Sequence, residues 1–237
     1  MSGPPDFLQS VLAARDEVAG RRSRPWVTLT FAQSLDAKIA GVGGKQLILS
    51  GKQSMVMTHW CFIAPRRLPP TLEGVRRHLP RPIVLDAHLR LLPSCKLLQN
   101  YQTGHGRRPW VVCLPGASGA VQARRLDLEA AGARIVEVTG ERDMLSLSSL
   151  LETLLALGIK SLMVEGGAQV IGSFMAEAQD CVDCIIVTTA PVFVGRDGVG
   201  YGTQVLGSQM ANTQHVRSEI MGEDTVLALR VGRALTS

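Results

Sequence analysis

The residues most able to do chemistry lie in Val164-Glu165-Gly166-Gly167-Ala168-Gln169. Ser161-Leu162-Met163-Val164 is a short apolar run that reads as a buried strand. Beyond Gly167, apolar residues at 168, 170, 171, 174 and 175 recur at helical spacing. A glycine pair therefore joins the C-terminal end of a strand to the first turn of a helix. Free backbone N–H groups and the positive end of the helix dipole favour an anion there. Two residues without side chains let a phosphate approach closely, and open α/β sheets bind ligands at such strand ends. The alternative is a tight strand-to-helix turn with no ligand. The spacing is neither G-x-G-x-x-G nor G-x-x-x-x-G-K-[ST], so it is neither a Rossmann fingerprint nor a P-loop.

The elements that must hold this segment are legible in outline. Val27 to Ala32 is β-rich and makes a first core strand. Gln33 to Ala40 continues it and ends in a turn cluster of Gly41, Gly43 and Gly44. Ser50 reads as the N-cap of a short helix ending near Trp60. Four strand-like runs follow: 82–86, 109–114, 133–138 and 161–164. Helices are expected at 121–131, at 148–157 with Gly158 as the stop, and at 168–178. The run 184–190 and a last strand at 225–231 complete the pattern. Strands alternating with helices predict an α/β protein with a mainly parallel sheet covered on both faces. A single domain is expected over 25–237, preceded by an N-terminal extension, 1–24, with a short amphipathic helix. The stretch 61–81, with Pro65, Pro69, Pro70, Pro80 and five arginines, reads as an irregular loop.

Composition narrows the class. The 237 residues are 46% hydrophobic but only 4% aromatic, so the core is aliphatic. That favours a layered α/β fold over a base-stacking nucleic-acid module. The net charge of +5 is spread over scattered arginine pairs such as Arg76-Arg77 and Arg107-Arg108. Solvated surface accounts for it first and attraction of phosphorylated small molecules second; no nucleic-acid motif accompanies it. Five cysteines and no signal-like N-terminus suggest reduced thiols and a cytoplasmic protein. Cys181-Val182-Asp183-Cys184 has no second ligand pair and reads as core packing, and no P-C-x-x-C of a zinc deaminase is present. No apolar stretch approaches a membrane span, and no metal site is expected.

Three segments taken together resemble one family. They are Thr30-Phe31-Ala32-Gln33-Ser34-Leu35-Asp36-Ala37-Lys38-Ile39-Ala40, Val164-Glu165-Gly166-Gly167-Ala168, and Val182 to Ile186 running on to Ala190-Pro191 and Gly195. Arg81-Pro82-Ile83-Val84-Leu85-Asp86 also fits. The pattern is similar to the riboflavin-biosynthesis reductases of the fungal and archaeal type, which act on 2,5-diamino-6-ribosylamino-4(3H)-pyrimidinone 5′-phosphate. The resemblance implies a dihydrofolate-reductase-like three-layer fold and a homodimer. It implies NADPH as cofactor and reduction of a ribosyl to a ribityl side chain. It assigns Glu165, Gly166, Gly167, Ala168 and Gln169 to the cofactor, and Ser34 and Lys38 to the substrate. Asp36 is the candidate general acid by location, or a carboxylate capping its own turn. Lys38 faces either a substrate phosphate or solvent.

Two departures stand out. Ala37 replaces the family's usual glycine. After Trp60 the family continues with an H-D-A-I-L-V-G-like strand and a T-x-x-x-D-x-P-x-L cofactor loop, whereas this chain has Cys61-Phe62-Ile63-Ala64-Pro65 and the proline-arginine stretch. Losing a central strand leaves two unpaired edges. Two other readings therefore accompany the reductase: a catalytically impaired or inactive splice or gene-model variant of it, and a dihydrofolate-reductase-like reductase of another pterin or pyrimidine.

Overall fold

The computed structural model describes residues 6–9, 11, 23–63, 79–116, 118–201 and 212–232, with the side chains of 59–63 excepted. In chain order the elements are β1 (Trp26–Gln33), β2 (Lys38–Ala40), α1 (Lys52–Ile63), β3 (Ile83–Leu85), α2 (Lys96–Gln102), β4 (Trp110–Cys113), α3 (Gly119–Ala130), β5 (Arg134–Glu137), β6 (Gly140–Glu141), β7 (Met144–Leu145) and α4 (Leu147–Ala156). They continue with β8 (Ser161–Val164), α5 (Ala168–Ala176), α6 (Ala178–Cys181), β9 (Cys184–Thr189), β10 (Val199–Gly200), β11 (Thr213–Met221) and β12 (Asp224–Val231). The chain forms two compact units, Met1–Cys61 with Gly158–Ser237, and Phe62–Leu157.

The first unit is built on a five-stranded sheet in the order β11-β12-β9-β1-β8. β1 is parallel to both β8 and β9, with Leu29 opposite Val164 on one side and Ile185 on the other. β12 and β11 are added antiparallel. β1 carries apolar residues on both faces because it is central: Val27 and Leu29 are fully buried, and Trp26, Thr30 and Phe31 are nearly so. One core cluster joins Phe7, Leu8 and Val11 of the helical residues 6–9 and 11 to Trp26, Met57, Ile186 and Val226. Asp183 ties the starts of β1 and β9 together. Its carboxylate accepts from Arg24 Nη1 at 2.6 Å, Arg24 Nη2 at 3.2 Å and Val27 N at 2.8 Å. Cys181 and Cys184 are buried thiols, and burial pushes the Cys181 thiol up to about 12. They serve as core, as the sequence predicts.

The second unit holds a parallel sheet, β3-β4-β5, with Ile83 opposite Trp110 and Trp110 opposite Arg134. Its core gathers Leu89, Leu98, Val111, Cys113, Leu128 and Ala133. Ser118 caps α3 and Ser146 caps α4 through side-chain oxygens. Gly158, expected to stop α4, adopts φ +88°, a conformation that favours glycine.

Several expectations need correction. Ser161–Val164 is an edge strand with only Val164 buried, because among the described residues it pairs with β1 alone. The first strand does not continue to Ala40; it breaks at the turn 34–37 and resumes as β2. Ser50 is not the cap of α1. Gly51 precedes the helix, and Asp224 Oδ2 accepts from Gly51 N at 2.7 Å. α1 runs on to Ile63, past Trp60. Strand β11 and helix α2 were not expected at all. The extra strand that the resemblance implies after this helix has no counterpart among the described residues. Residues 64–78 of the expected proline-arginine loop lie outside them, as does most of the 1–24 extension.

Candidate functional site

An open cavity of about 790 Å3 lies within the first unit at the C-terminal ends of β1, β8 and β9. Parallel strands place it there, since their ends splay where the loops turn away. β1 contributes Thr30, Phe31 and Ala32, and β9 contributes Thr188. Glu165 to Ile171 form one wall, and Gln46 to Ser50 with Met55 and Thr58 form another. The volume suits a small-molecule or cofactor site.

The glycine pair divides its labour. Gly166 is a packing glycine: a Cβ there would sit 2.9 Å from Val170 Cβ. Gly167 is the N-cap of α5, and a Cβ there would meet nothing within 4 Å. Gly167 has no side chain with which to cap α5. The N–H groups of Ala168, Gln169 and Val170 have no acceptor inside the helix, because the first intrahelical bond runs from Ile171 N to Gly167 O at 3.1 Å. A positive helix end whose N-cap is a glycine, beside open space on the cavity wall, fits the pyrophosphate of a dinucleotide. Among the described residues Glu165 is the one ionisable side chain on that lining, so anion binding there depends on backbone amides and the helix dipole. All five residues expected to meet the cofactor, Glu165 to Gln169, are brought together on it.

Ser34, Asp36 and Lys38 are not on the cavity lining; they form a tight turn of their own. The fully buried Ser34 hydroxyl donates to Asp36 Oδ1 at 2.6 Å and accepts from Lys38 N at 3.0 Å. Asp36 also accepts from Val194 N at 3.0 Å and Gly195 N at 2.8 Å. The Ser34 hydroxyl, then the Val194 amide, hold its carboxyl down at about 2. At neutral pH it carries no proton to give. Ala37, inside this turn, adopts φ +55°. Glycine is the natural residue for that conformation, which fits the glycine that the resemblance implies here. The Lys38 stem lies near Gly198, whose added Cβ would be 3.0 Å from Lys38 Cγ.

Thr30 and Thr188 were missed by sequence reasoning. They are buried polar residues, 5% and 3% exposed, on the cavity lining. Strand register places Ala32 opposite Thr188 and Thr30 opposite Ile186, so both hydroxyls belong to one sheet face. A threonine within an otherwise apolar strand was the available signal. The run Leu47-Ile48-Leu49 was also missed; Ile48 is 94% exposed, on a cavity wall.

Residues 64–227 match the model of the RibD C-terminal domain. The chain belongs to the RibD C-terminal domain family. It is similar to the 2,5-diamino-6-ribosylamino-4(3H)-pyrimidinone 5′-phosphate reductase of Eremothecium gossypii, 30% identical over 231 residues that cover 87% of this chain and 88% of that one. The reductase of the same name from Kluyveromyces lactis is 29% identical over 219 residues, covering 81% of this chain and 82% of its own. Among solved structures, the riboflavin biosynthesis reductase Rib7 of Saccharomyces cerevisiae superposes with a TM-score of 0.71 at 22% identity, covering 96% of this chain and 100% of that one. That last likeness establishes the α/β fold of these RibD-like reductases. Within the RibD C-terminal domain family, Gly166-Gly167 here is the strand-to-helix junction whose geometry is described above.

Proposed function

We propose that the first unit's cavity is the cofactor site of a riboflavin-biosynthesis reductase, which reduces the ribosyl group of 2,5-diamino-6-ribosylamino-4(3H)-pyrimidinone 5′-phosphate to ribityl at the expense of NADPH. The observation that carries this reading is Gly167. It leaves space open at the N-terminal end of α5, beside a cavity built on parallel strand ends, in a chain of this family. The amides of Ala168, Gln169 and Val170 would hold the pyrophosphate, and Gly167 would leave it room. A nicotinamide bound there would supply hydride to the sugar carbon. Thr30, Thr58 and Thr188 offer hydroxyls to orient the reacting groups, and Phe31 and Met55 help exclude water. Asp36 acts as a positioning residue, holding the β1–β2 turn to the 194–195 backbone. The chain is further proposed to work as a cytoplasmic homodimer; sedimentation equilibrium and cell fractionation test these two points.

The test is NADPH and NADH titration, followed by steady-state oxidation with the ribosylamino substrate and with dihydrofolate. NADPH is expected to bind about tenfold more tightly than NADH, and oxidation is expected with the ribosylamino substrate alone. Absence of cofactor binding overturns the reading. A second reading, the same reductase with a weakened cofactor site, is favoured by the lack of a T-x-x-x-D segment between Trp60 and Arg81. Binding without turnover would select it.

A further inference from the structure

The second unit carries a concentration of positive charge that the proposed reduction does not use. Its three strands are parallel, so their N-terminal ends lie side by side, about 4.8 Å from strand to strand. Arg81 lies two residues ahead of β3, Arg107 and Arg108 stand just ahead of β4, and Arg134 opens β5. Four guanidinium groups are thus delivered to one sheet edge.

They are held rather than splayed. Arg81 Cζ and Arg134 Cζ each lie 4.6 Å from the centroid of the buried Trp110 ring. Arg81 Nη1 donates to Arg108 O at 2.8 Å, and Arg107 Nη1 to Leu79 O at 3.2 Å. Arg108 donates from Nε to Gly132 O at 3.0 Å and from Nη2 to Ala133 O at 2.8 Å. A guanidinium has five N–H donors, so most remain available on each of the four. Among the described residues no carboxylate pairs with any of them; the ion pairs there include Arg24–Asp183, Arg90–Asp86, Arg125–Glu137 and Arg217–Glu219. The crowding registers on Arg81, whose acidity is raised by burial first and then by Arg107, Arg134 and Arg108.

We propose that Arg81, Arg107, Arg108 and Arg134 form a binding site for an oligophosphate anion at the N-terminal edge of the β3–β4–β5 sheet. Fixed guanidinium forks match phosphate oxygens bidentately, and four of them call for several linked phosphates rather than one. The aromatic ring at the site is buried beneath the cations, so it offers no platform for a stacking base. What is recognised is the phosphate chain, whether free or carried as the tail of a nucleotide.

The experiment is calorimetric titration of the full chain with inorganic tripolyphosphate, ATP and orthophosphate. It is repeated on the Arg108→Glu/Arg134→Glu double variant, in which both exposed positions are reversed in charge. Tripolyphosphate should bind the wild type at one site, about tenfold or more tightly than orthophosphate, with affinity falling as salt rises. The double variant should lose about tenfold or more in affinity while keeping its far-ultraviolet dichroism, and Arg108→Gln/Arg134→Gln should show an intermediate loss. Equal binding of ATP and tripolyphosphate, both lost in the double variant, identifies the bare phosphate chain as sufficient. Tighter ATP binding that Gly167→Asp keeps and the double variant loses identifies a nucleotide as the source. Both support the site, and ATP binding that the double variant keeps does not. The Gly167→Asp variant should bind tripolyphosphate like the wild type, which separates this site from the cavity. No saturable tripolyphosphate binding, or equal binding by both charge-reversed and wild-type chains, overturns the proposal. So does a DNA duplex that binds more tightly than tripolyphosphate and is lost in the double variant, since the surface would then be one for nucleic acid.

Discussion

The Ser54 hydroxyl donates to Asp224 Oδ2 at 2.5 Å, joining the first turn of α1 to the tip of the β11–β12 hairpin across 170 positions of sequence. The same oxygen accepts from Gly51 N, so a residue near the end of the chain performs the capping that Ser50 was expected to perform. α1 supplies Met55 and Thr58 to the cavity wall. Asp224→Ala should therefore destabilise the fold by about 1–3 kcal/mol, the range for a lost cap plus a stranded buried donor. Urea unfolding measures this, and the variant should also bind NADPH more weakly. An unchanged midpoint would show that the cap contributes nothing.

The two glycines of the cavity wall should fail differently. Gly167→Asp should abolish NADPH binding with the thermal midpoint nearly unchanged, because its side chain enters open space and its charge repels the pyrophosphate. Gly166→Ala should lower the midpoint, because its Cβ collides with Val170. Differential scanning fluorimetry with and without NADPH separates the two. Identical profiles would contradict the division of labour.

Ala37→Gly should raise stability by about 0.5–1 kcal/mol. The left-handed conformation costs alanine about 1–2 kcal/mol, and glycine's looser unfolded state returns part of that. Chemical denaturation of the single variant is sufficient; a loss of stability would refute the strain.

Asp36 gives a pH dependence of known sign. Its folded value of about 2 lies below its ordinary 3.8. The contribution to stability is therefore complete above the unfolded value and disappears as pH falls through about 2. Asp36→Asn should lose this acid-range dependence, read by unfolding at successive pH values between about 4 and 2. Carbon-detected NMR of the Asp36 carboxyl should show no titration between about pH 5 and 8; a midpoint in that range would restore it as a candidate acid.

Turnover should fall short of that of an intact family member. The T-x-x-x-D segment that the resemblance implies for the cofactor loop is missing from the sequence between Trp60 and Arg81, and two polar contacts of about 1 kcal/mol each correspond to a loss of at least about tenfold in cofactor binding. Side-by-side assays with the Eremothecium gossypii relative check this, and equal rates would refute it.

Local pattern made much of this legible. The serine- and leucine-rich stretch before Gly158 reads as an amphipathic helix, and α4 is one. The glycine pair announces a strand-to-helix junction because no side chain intervenes. What escaped is long-range or carried by polar strands. Thr213–Met221 is largely exposed, with its face pattern broken by a bulge between His215 and Arg217, so alternation never marks β11. Thr30 and Thr188 become cavity residues only through pairing of strands more than 150 positions apart. Asp183 reads as the middle of a C-x-x-C spacing, and only the register of β1 against β9 gives its carboxylate two strands to hold.

The first unit is discontinuous, and that imposes an order on its birth at the ribosome. β1 is made early, yet both of its partners, β8 and β9, are made after Gly158. Phe7 and Leu8 wait still longer, since their apolar berth includes Val226 and Ala228 of β12. The stretch Phe62–Leu157 can begin to organise as it emerges, while an apolar central strand stands without partners through its entire synthesis. Pairings this distant in sequence close slowly and leave surface open to association. Yield in a heterologous host should accordingly respond more to temperature and chaperone supply than to any single substitution in the cavity.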